Sequence, residues 1–344
     1  MKFKIPALVT AAAIAAVLGG AVITAPAQAA NDPQISVSSN TMITVATYNI
    51  CKLACTSPAP AWDTRRARIA NVITSSLADV IGVEEATNWK TDAGISQWQD
   101  VQDLVASAGY KAPQLQDNRC VHQRCVNTAR LLYNRYMVDQ ARFTALPSAG
   151  DLPLDQLLSE PLTVDPHRQV TWAYFTPKGS TQVVLVAAVH LTNAKTAAGE
   201  ADRIAFGRGF TAWAEGMNAA RGLSNVPVVL LGDLNSFDVR QPQGVQTVLR
   251  NAGWTDAYDA QTSTNRAFNT VNYGKRIRSG WPSRPVVAKN RPPSRIDYVL
   301  TRGPIVPWSY EVVAHLNPNG TFDSAYQGSD HLMVRAALEL RPAA

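Results

Sequence analysis

Short apolar runs, each closed by a polar or acidic residue, recur along the chain. Ile43–Thr47 leads into Tyr48 and Asn49, Val80–Val83 into Glu84 and Glu85, and Val183–Val189 into His190. Val228–Leu231 leads in the same way into Gly232-Asp233-Leu234-Asn235. Continuous β-branched runs of this length are those covered on both faces of a sheet. Further strands are expected at Arg130–Tyr133, Val170–Phe175, Ile296–Leu300 and Leu332–Leu338. Between them the period becomes helical. Arg65–Leu77 puts Ile69, Val72, Ile73 and Leu77 on one stripe, and Ala198–Arg221 aligns Phe206, Phe210, Trp213 and Met217. Gly244–Ala252 carries Val245, Val248 and Leu249. The aromatic stripe reads as core packing. The composite is an α/β fold with helices flanking stacked sheets, and side chains just past the strand ends would gather along one edge.

The N-terminus reads differently. Lys2 and Lys4 precede an uncharged stretch from Ile5 to Asn31, and Ala27-Gln28-Ala29 has the small residues of a cleavage site. Residues 1–29 are therefore expected to be a signal peptide cleaved near Ala29, with an uncleaved membrane anchor as the alternative. Residues 30–41 form a polar lead-in and 42–344 one domain, without an internal repeat or linker. After residue 31 no apolar run approaches the roughly 20 residues of a membrane helix. The 344 residues carry 32 basic and 26 acidic side chains, a net charge of +6 that becomes +4 without Lys2 and Lys4. With 17% charged residues, 20 Gly and 21 Pro, disorder, collagen and coiled coil are excluded.

Export changes the reading of the cysteines. Cys51, Cys55, Cys120 and Cys125 are spaced C-x3-C and C-x4-C, not the C-x2-C usual in zinc sites. Two disulfides are the expectation in an oxidising compartment. The local pairs Cys51–Cys55 and Cys120–Cys125 are favoured among the three connectivities, because short loops close at low entropic cost. A redox or metal site is the competing reading.

Six polar motifs sit at strand ends or starts. They are Tyr48-Asn49, Glu84-Glu85, His190-Leu191-Thr192, Gly232-Asp233-Leu234-Asn235, Arg295-Ile296-Asp297-Tyr298 and Ser329-Asp330-His331. Singly each is a turn, a cap or a solvated carboxylate. Together, from about Met42 to Arg335, they resemble the endonuclease/exonuclease/phosphatase superfamily. Its members include secreted deoxyribonucleases, abasic-site endonucleases, neutral sphingomyelinases and inositol-polyphosphate phosphatases. The resemblance implies a four-layer α/β/β/α sandwich, two stacked mixed sheets flanked by helices, and metal-assisted phosphoester hydrolysis.

Hydrolysis of that kind needs a hard cation, an aligned water and a group that steadies the leaving oxygen. Carboxylates and amides suit Mg²⁺ or Mn²⁺. By the resemblance, Glu85 is the principal metal ligand, with Asn49 reaching the metal or its waters and Asp330 adding to the metal shell. Glu84 stands where the family usually has Gln and is expected to support the site or pack the strand. Asp233 and Asn235 match the residues that align water and hold a phosphoryl oxygen. Asp297 and His331 match a pair in which the carboxylate fixes the imidazole and favours its protonated form. The same His could instead act as the base. His190 matches a His that binds phosphate or protonates the leaving group. One departure is that no acidic residue lies between Cys120 and Tyr136, where secreted deoxyribonucleases have a Glu behind the first catalytic His. His122, His167 and His315 fall outside the motifs.

Between Ala260 and Ile296 there are eight basic residues and no acidic one: Arg266, Lys275, Arg276, Arg278, Arg284, Lys289, Arg291 and Arg295. The segment runs into Asp297, and such a patch attracts polyanions. Arg276, Arg278 and Arg284 are taken as substrate-binding, and Tyr273 and Trp281 as stacking residues. A solvated basic loop is the plainer alternative, and Trp281 is alternatively a membrane-surface anchor or a packing residue. The expectation is a secreted, monomeric, Mg²⁺- or Mn²⁺-dependent phosphoesterase acting on nucleic acid, with no stable protein partner implied. A phospholipid or inositol phosphate substrate is the first alternative, and a non-catalytic binding or toxin module on the same fold is the second.

Overall fold

The computed structural model describes residues 41–55, 60–113, 129–140, 152–153, 169–238, 241–272, 281–288 and 293–342. The expected signal segment, Cys120 and Cys125, Tyr273, Arg276 and Arg278 lie outside these residues.

Two mixed sheets are stacked face to face. The first contains β1 (Thr41–Asn49), β2 (Val80–Glu84), β3 (Ala129–Tyr133), β10 (Thr262–Thr264), β12 (Ile305–Val313) and β13 (Met333–Leu340), in the order β10-β12-β13-β1-β2-β3. The second contains β4 (Met137–Asp139), β6 (Gln169–Pro177), β7 (Val184–His190), β8 (Val228–Asp233), β9 (Thr255–Asp256) and β11 (Asp297–Arg302), in the order β4-β6-β7-β8-β11-β9. The short β5 (Leu152–Pro153) is added on β6. Helices α1 (Trp62–Ser76) and α2 (Gln97–Val105) cover the first sheet, and α3 (Ala197–Ala219) and α4 (Val245–Asn251) the second. This is the four-layer α/β/β/α sandwich that the strand pattern and the resemblance imply.

The period-2 geometry of strands sorts the apolar side chains into three interlayers. From β7, Val184, Val186 and Ala188 enter the layer between the sheets, where they meet Val45, Leu131, Val299 and Val334. Leu185, Ala187 and Val189 face the other way, against Phe206 and Phe210 of α3. On the far side Ala46, Tyr48 and Ile81 pack on Ile69, Ile73 and Trp98. Two-sided burial is why these strands read as continuous apolar runs. At the centre Gly82 lets the sheets approach closely. A Cβ there would stand 3.1 Å from Leu231 Cβ and 3.3 Å from Ala188 Cβ.

Two local differences from the sequence reading have simple causes. Helix α1 stops at Ser76, and Leu77 caps it in the left-handed conformation, so Leu77 points outward at 74% exposure instead of joining the stripe. The period does not reveal α2, whose start is set by Ser96 accepting a hydrogen bond from the Gln99 N–H. Among the described residues no helix is long and apolar enough to cross a membrane.

Candidate active site

Strand register alone assembles most of the site. β1 and β2 run parallel with Asn49 opposite Glu84, and β7 and β8 run parallel with His190 opposite Asp233. Antiparallel β11 begins with Asp297 opposite Asp233. The two sheets are joined at this edge by Asn49 Nδ2, which donates to Asp233 Oδ2 at 3.1 Å. Asp233 Oδ1 accepts from the Asn235 N–H at 2.9 Å, and Asn235 sits in the left-handed region at φ 50° that Asn tolerates. Asn235 Nδ2 lies 3.1 Å from His190 Nε2 and donates to the Leu191 carbonyl at 2.9 Å. His190 Nε2 is also 3.5 Å from Asp233 Oδ2.

His331 enters from the segment before β13. Its ring nitrogen Nδ1 lies 3.0 and 3.1 Å from the two Asp297 oxygens, so Nδ1–H donates to the carboxylate. That directs Nε2 toward Asp233 Oδ2, 3.9 Å away. Ser329 fixes the approach, since its hydroxyl donates to the Asn49 carbonyl at 2.6 Å and accepts the His331 N–H at 3.1 Å. Burial alone would lower the His331 pKa, but the Asp297 carboxylate outweighs it and holds the imidazole well above its usual value. Asp233 is pushed up to about 7, by burial first and by Asp297 second, with His331 opposing both.

Glu85 and Asp330 form the other shoulder. Glu85 directly follows β2 at φ 60°, is half-buried, and its Oε2 accepts the Lys52 N–H at 2.9 Å. Asp330 is raised by burial and in part by the Glu85 charge. Glu84 instead points between the sheets, fully buried, where the Thr47 hydroxyl donates to Oε1 at 2.9 Å. Its Oε2 has no hydrogen-bond partner among the described residues. Burial, then Asp297, hold Glu84 well above the usual carboxylate range, and its place between the sheets makes it a packing residue.

Each sequence-predicted position that the structure describes has a definite place. Asn49, His190, Asp233, Asn235, Asp297 and His331 converge, and Glu85 and Asp330 lie together beside them. The basic segment is less uniform. Arg284 is exposed, as the polyanion reading requires. Arg295 is not available to a substrate, because it is buried against Asp256 and Asp238 with its guanidinium over Tyr258 and Tyr298. Arg266 pairs with Asp259 and covers Tyr258. Trp281 lines a cavity with Pro282, Tyr326, Asp330 and His331.

Two supporting residues escaped the sequence reading. Arg65 of α1, fully buried, donates to the carbonyls of Ile50, Cys51, Lys52 and Gly328, and its charge lies near Glu85 and Asp330. Gln97 of α2 accepts from the Leu53 N–H and both Thr87 donors and donates to the Cys51 carbonyl. No sequence signal separates a buried Arg or Gln of this kind from an exposed one on the same helix.

The site concentrates carboxylates. Among the described residues the positive or protonatable groups near Glu85, Asp233, Asp297 and Asp330 include Arg65, His190 and His331, and ligand atoms of Asp233, Asp297 and His331 lie within 4.8 Å of one another. Burial first, and neighbouring carboxylates after it, raise Asp233 and Asp330. Oxygen-rich donors of this kind fit a hard divalent cation.

Comparison with known proteins agrees with this geometry. The model of the endonuclease/exonuclease/phosphatase family matches residues 46–331. An endonuclease/exonuclease/phosphatase from Bacteroides vulgatus is similar at 18% identity and TM-score 0.61, covering 88% of this chain and 100% of its own. The Bacteroides thetaiotaomicron mannosyl-6-phosphatase is similar at 18% identity and TM-score 0.56, covering 86% and 99%. The human nocturnin catalytic domain is similar at 16% identity and TM-score 0.55, covering 87% and 96%. No curated protein matches the chain. At these identities the structures speak for the fold alone, whereas the family match covers most of the chain and all six motifs: the chain belongs to the endonuclease/exonuclease/phosphatase family of metal-dependent phosphoesterases.

Proposed function

We propose that the chain is a secreted nuclease, a Mg²⁺- or Mn²⁺-dependent hydrolase that cleaves phosphodiester bonds by in-line attack of water. The observation that carries this reading is the buried Asp297–His331 pair facing Asp233 at the edge where both sheets end. Glu85, Asp330 and Asn49 are the residues that would hold the cation, which neutralises phosphoryl charge and makes bound water more acidic. Asp233, raised by burial and by Asp297, would align the attacking water and accept its proton. Asn235 holds a phosphoryl oxygen. His331, kept protonated by Asp297, stabilises the negative charge that develops on the phosphate. His190, beside Asn235, binds the phosphate or returns a proton to the leaving oxygen. Because every one of these positions is filled, an enzyme is favoured over a binding or toxin module.

Export is supported by the Ala27-Gln28-Ala29 stretch and by the Cys51–Cys55 disulfide. Nucleic acid is favoured by exposed Arg284 together with Arg276 and Arg278 of the same basic segment. One observation favours a lipid phosphoester as the second reading. Val286, Val287 and Leu316 are 42%, 47% and 37% exposed, and their segments are joined by the Phe322 N–H bonding to Ser283. A screen of plasmid DNA, RNA, sphingomyelin vesicles and inositol phosphates, with and without EDTA, tests both. EDTA-sensitive cleavage of nucleic acid is expected, and turnover restricted to vesicles or inositol phosphates overturns the nuclease reading.

A further inference from the structure

The exit of β1 is held by an unusual concentration of constraints. Cys51 occupies the left-handed region at φ 59°, a conformation that a side chain with a Cβ adopts reluctantly. It is disulfide-bonded to Cys55, with the Cα atoms 5.8 Å apart. Two amides of this short loop point at the residues proposed to hold the metal. The Cys51 N–H donates to Asn49 Oδ1 at 3.0 Å, and the Lys52 N–H donates to Glu85 Oε2 at 2.9 Å. A sulfur of each cysteine and an Asp330 carboxylate oxygen lie within 4.8 Å of one another. The loop therefore hydrogen-bonds Asn49 and Glu85 and lies near Asp330, and a covalent bond closes it. Arg65 and Gln97 hold its carbonyls from behind.

We propose that the Cys51–Cys55 disulfide is a positioning clamp that sets the affinity of the site for its divalent cation. It does so by keeping the Lys52 amide on Glu85 and the Cys51 amide on Asn49. The inference rests on the reading of Glu85 and Asn49 as metal-holding residues. Amides that donate to a ligating side chain orient it toward the metal, and loss of such donors commonly weakens metal binding by about 10–100-fold. Reduction by a dithiol breaks the S–S bond. Each cysteine gains one electron and one proton, and the reductant closes to its own cyclic disulfide. The loop then keeps its hydrogen bonds to Arg65 and Gln97 but loses the closure that holds the left-handed turn, so Glu85 and Asn49 regain side-chain freedom.

The experiment is a Mn²⁺ titration followed by electron paramagnetic resonance of the free ion, which needs no substrate. It compares oxidised protein, protein reduced with dithiothreitol and desalted, the same protein reoxidised, and the C51S/C55S double variant. Loss of the disulfide is expected to raise the Mn²⁺ dissociation constant about tenfold or more, and reoxidation is expected to restore it. Thermal unfolding in EDTA accompanies each titration, so that a role in stability alone shows as a lower midpoint with unchanged affinity. In the Glu85→Gln background, removal of the disulfide should weaken binding by a smaller factor than in the native protein, because only the Asn49 half of the clamp remains, and an undiminished factor would overturn the route through Glu85. Equal affinity with and without the disulfide in a protein that binds Mn²⁺ overturns the clamp and leaves the metal site standing. Failure of oxidised protein to bind Mn²⁺ at all overturns both.

Discussion

Replacing Asp297 by Asn removes a charge while keeping the shape of the side chain that holds His331. In the native site both Asp297 oxygens lie within 3.1 Å of Nδ1, and both residues are buried, so water cannot take over the bond. A hydrogen bond between charged groups contributes about 1.5–3 kcal/mol. At about 1.4 kcal/mol per pKa unit, its loss lowers the imidazolium pKa by about 1–2 units. A step that depends on protonated His331 then slows by up to roughly 10–100-fold at pH values above the lowered pKa. The fold should survive, because the Asp297 charge is also what helps push Asp233 and Glu84 up, and removing it relieves that repulsion. The assay is the pH dependence of kcat/KM on a small chromogenic phosphodiester with saturating Mn²⁺, alongside thermal unfolding. The alkaline limb should move down by about 1–2 units, with the loss of rate largest above the lowered pKa. An unmoved limb and a rate within about threefold of the native one would refute the pairing of Asp297 with an essential imidazolium.

Further expectations follow from other contacts. Glu85→Gln should weaken Mn²⁺ binding by roughly a hundredfold or more, read by the same spin-resonance titration; native affinity would remove Glu85 from the metal site. Arg65→Met strips four carbonyls of a buried donor and should cost about 3–5 kcal/mol, seen calorimetrically as a melting point lower by about 5–8 °C. Neutralising Arg276, Arg278 and Arg284 together should flatten the salt dependence of nucleic-acid cleavage by about two to three in the log–log slope and spare the small phosphodiester; equal losses on both substrates argue against a polyanion role. The pH dependence of the metal-free protein has a definite sign. The Asp233 carboxyl, 3.8 when unperturbed and about 7 in the fold, binds its proton more tightly when folded, so stability in EDTA should fall as pH rises from about 4 to 7. Mg²⁺ should flatten that fall, and a stability that rises over the same window would contradict the buried-carboxylate account.

What the sequence disclosed follows from where period and burial coincide. Strands β2, β3, β7 and β8 are covered on both faces, so their apolar runs are continuous and their ends are marked by the first polar residue. Because those ends are also the edge of the site, Asn49, His190, Asp233 and Asp297 were legible as a set. Helix α2 was not, since Gln97-Trp98-Gln99-Asp100 gives no clear stripe and its start depends on a single serine cap. Leu77 belonged to the stripe by period and left it because a left-handed cap turned it outward. Arg295 looked like a member of a basic patch; only the packing of Asp256, Asp238 and two tyrosines around it reveals a buried ion network. The supporting hydrogen bonds of Arg65 and Gln97 depend on loop closure, which local pattern does not encode.

The close approach of the sheets at Gly82 has a consequence for how the chemistry is kept in alignment. Asn49 comes from one sheet and Asp233 from the other, so the 3.1 Å link between them gauges the gap that Gly82, Leu231 and Ala188 define. Interiors are packed too densely to absorb an extra methyl group without movement. A methyl at position 82 would also press on Glu84 Oε1, 3.1 Å from the added carbon, directly behind the reacting groups. The innermost layer thus acts as a spacer for the rim, and a fault there would be felt first as mis-set chemistry in a protein that still folds.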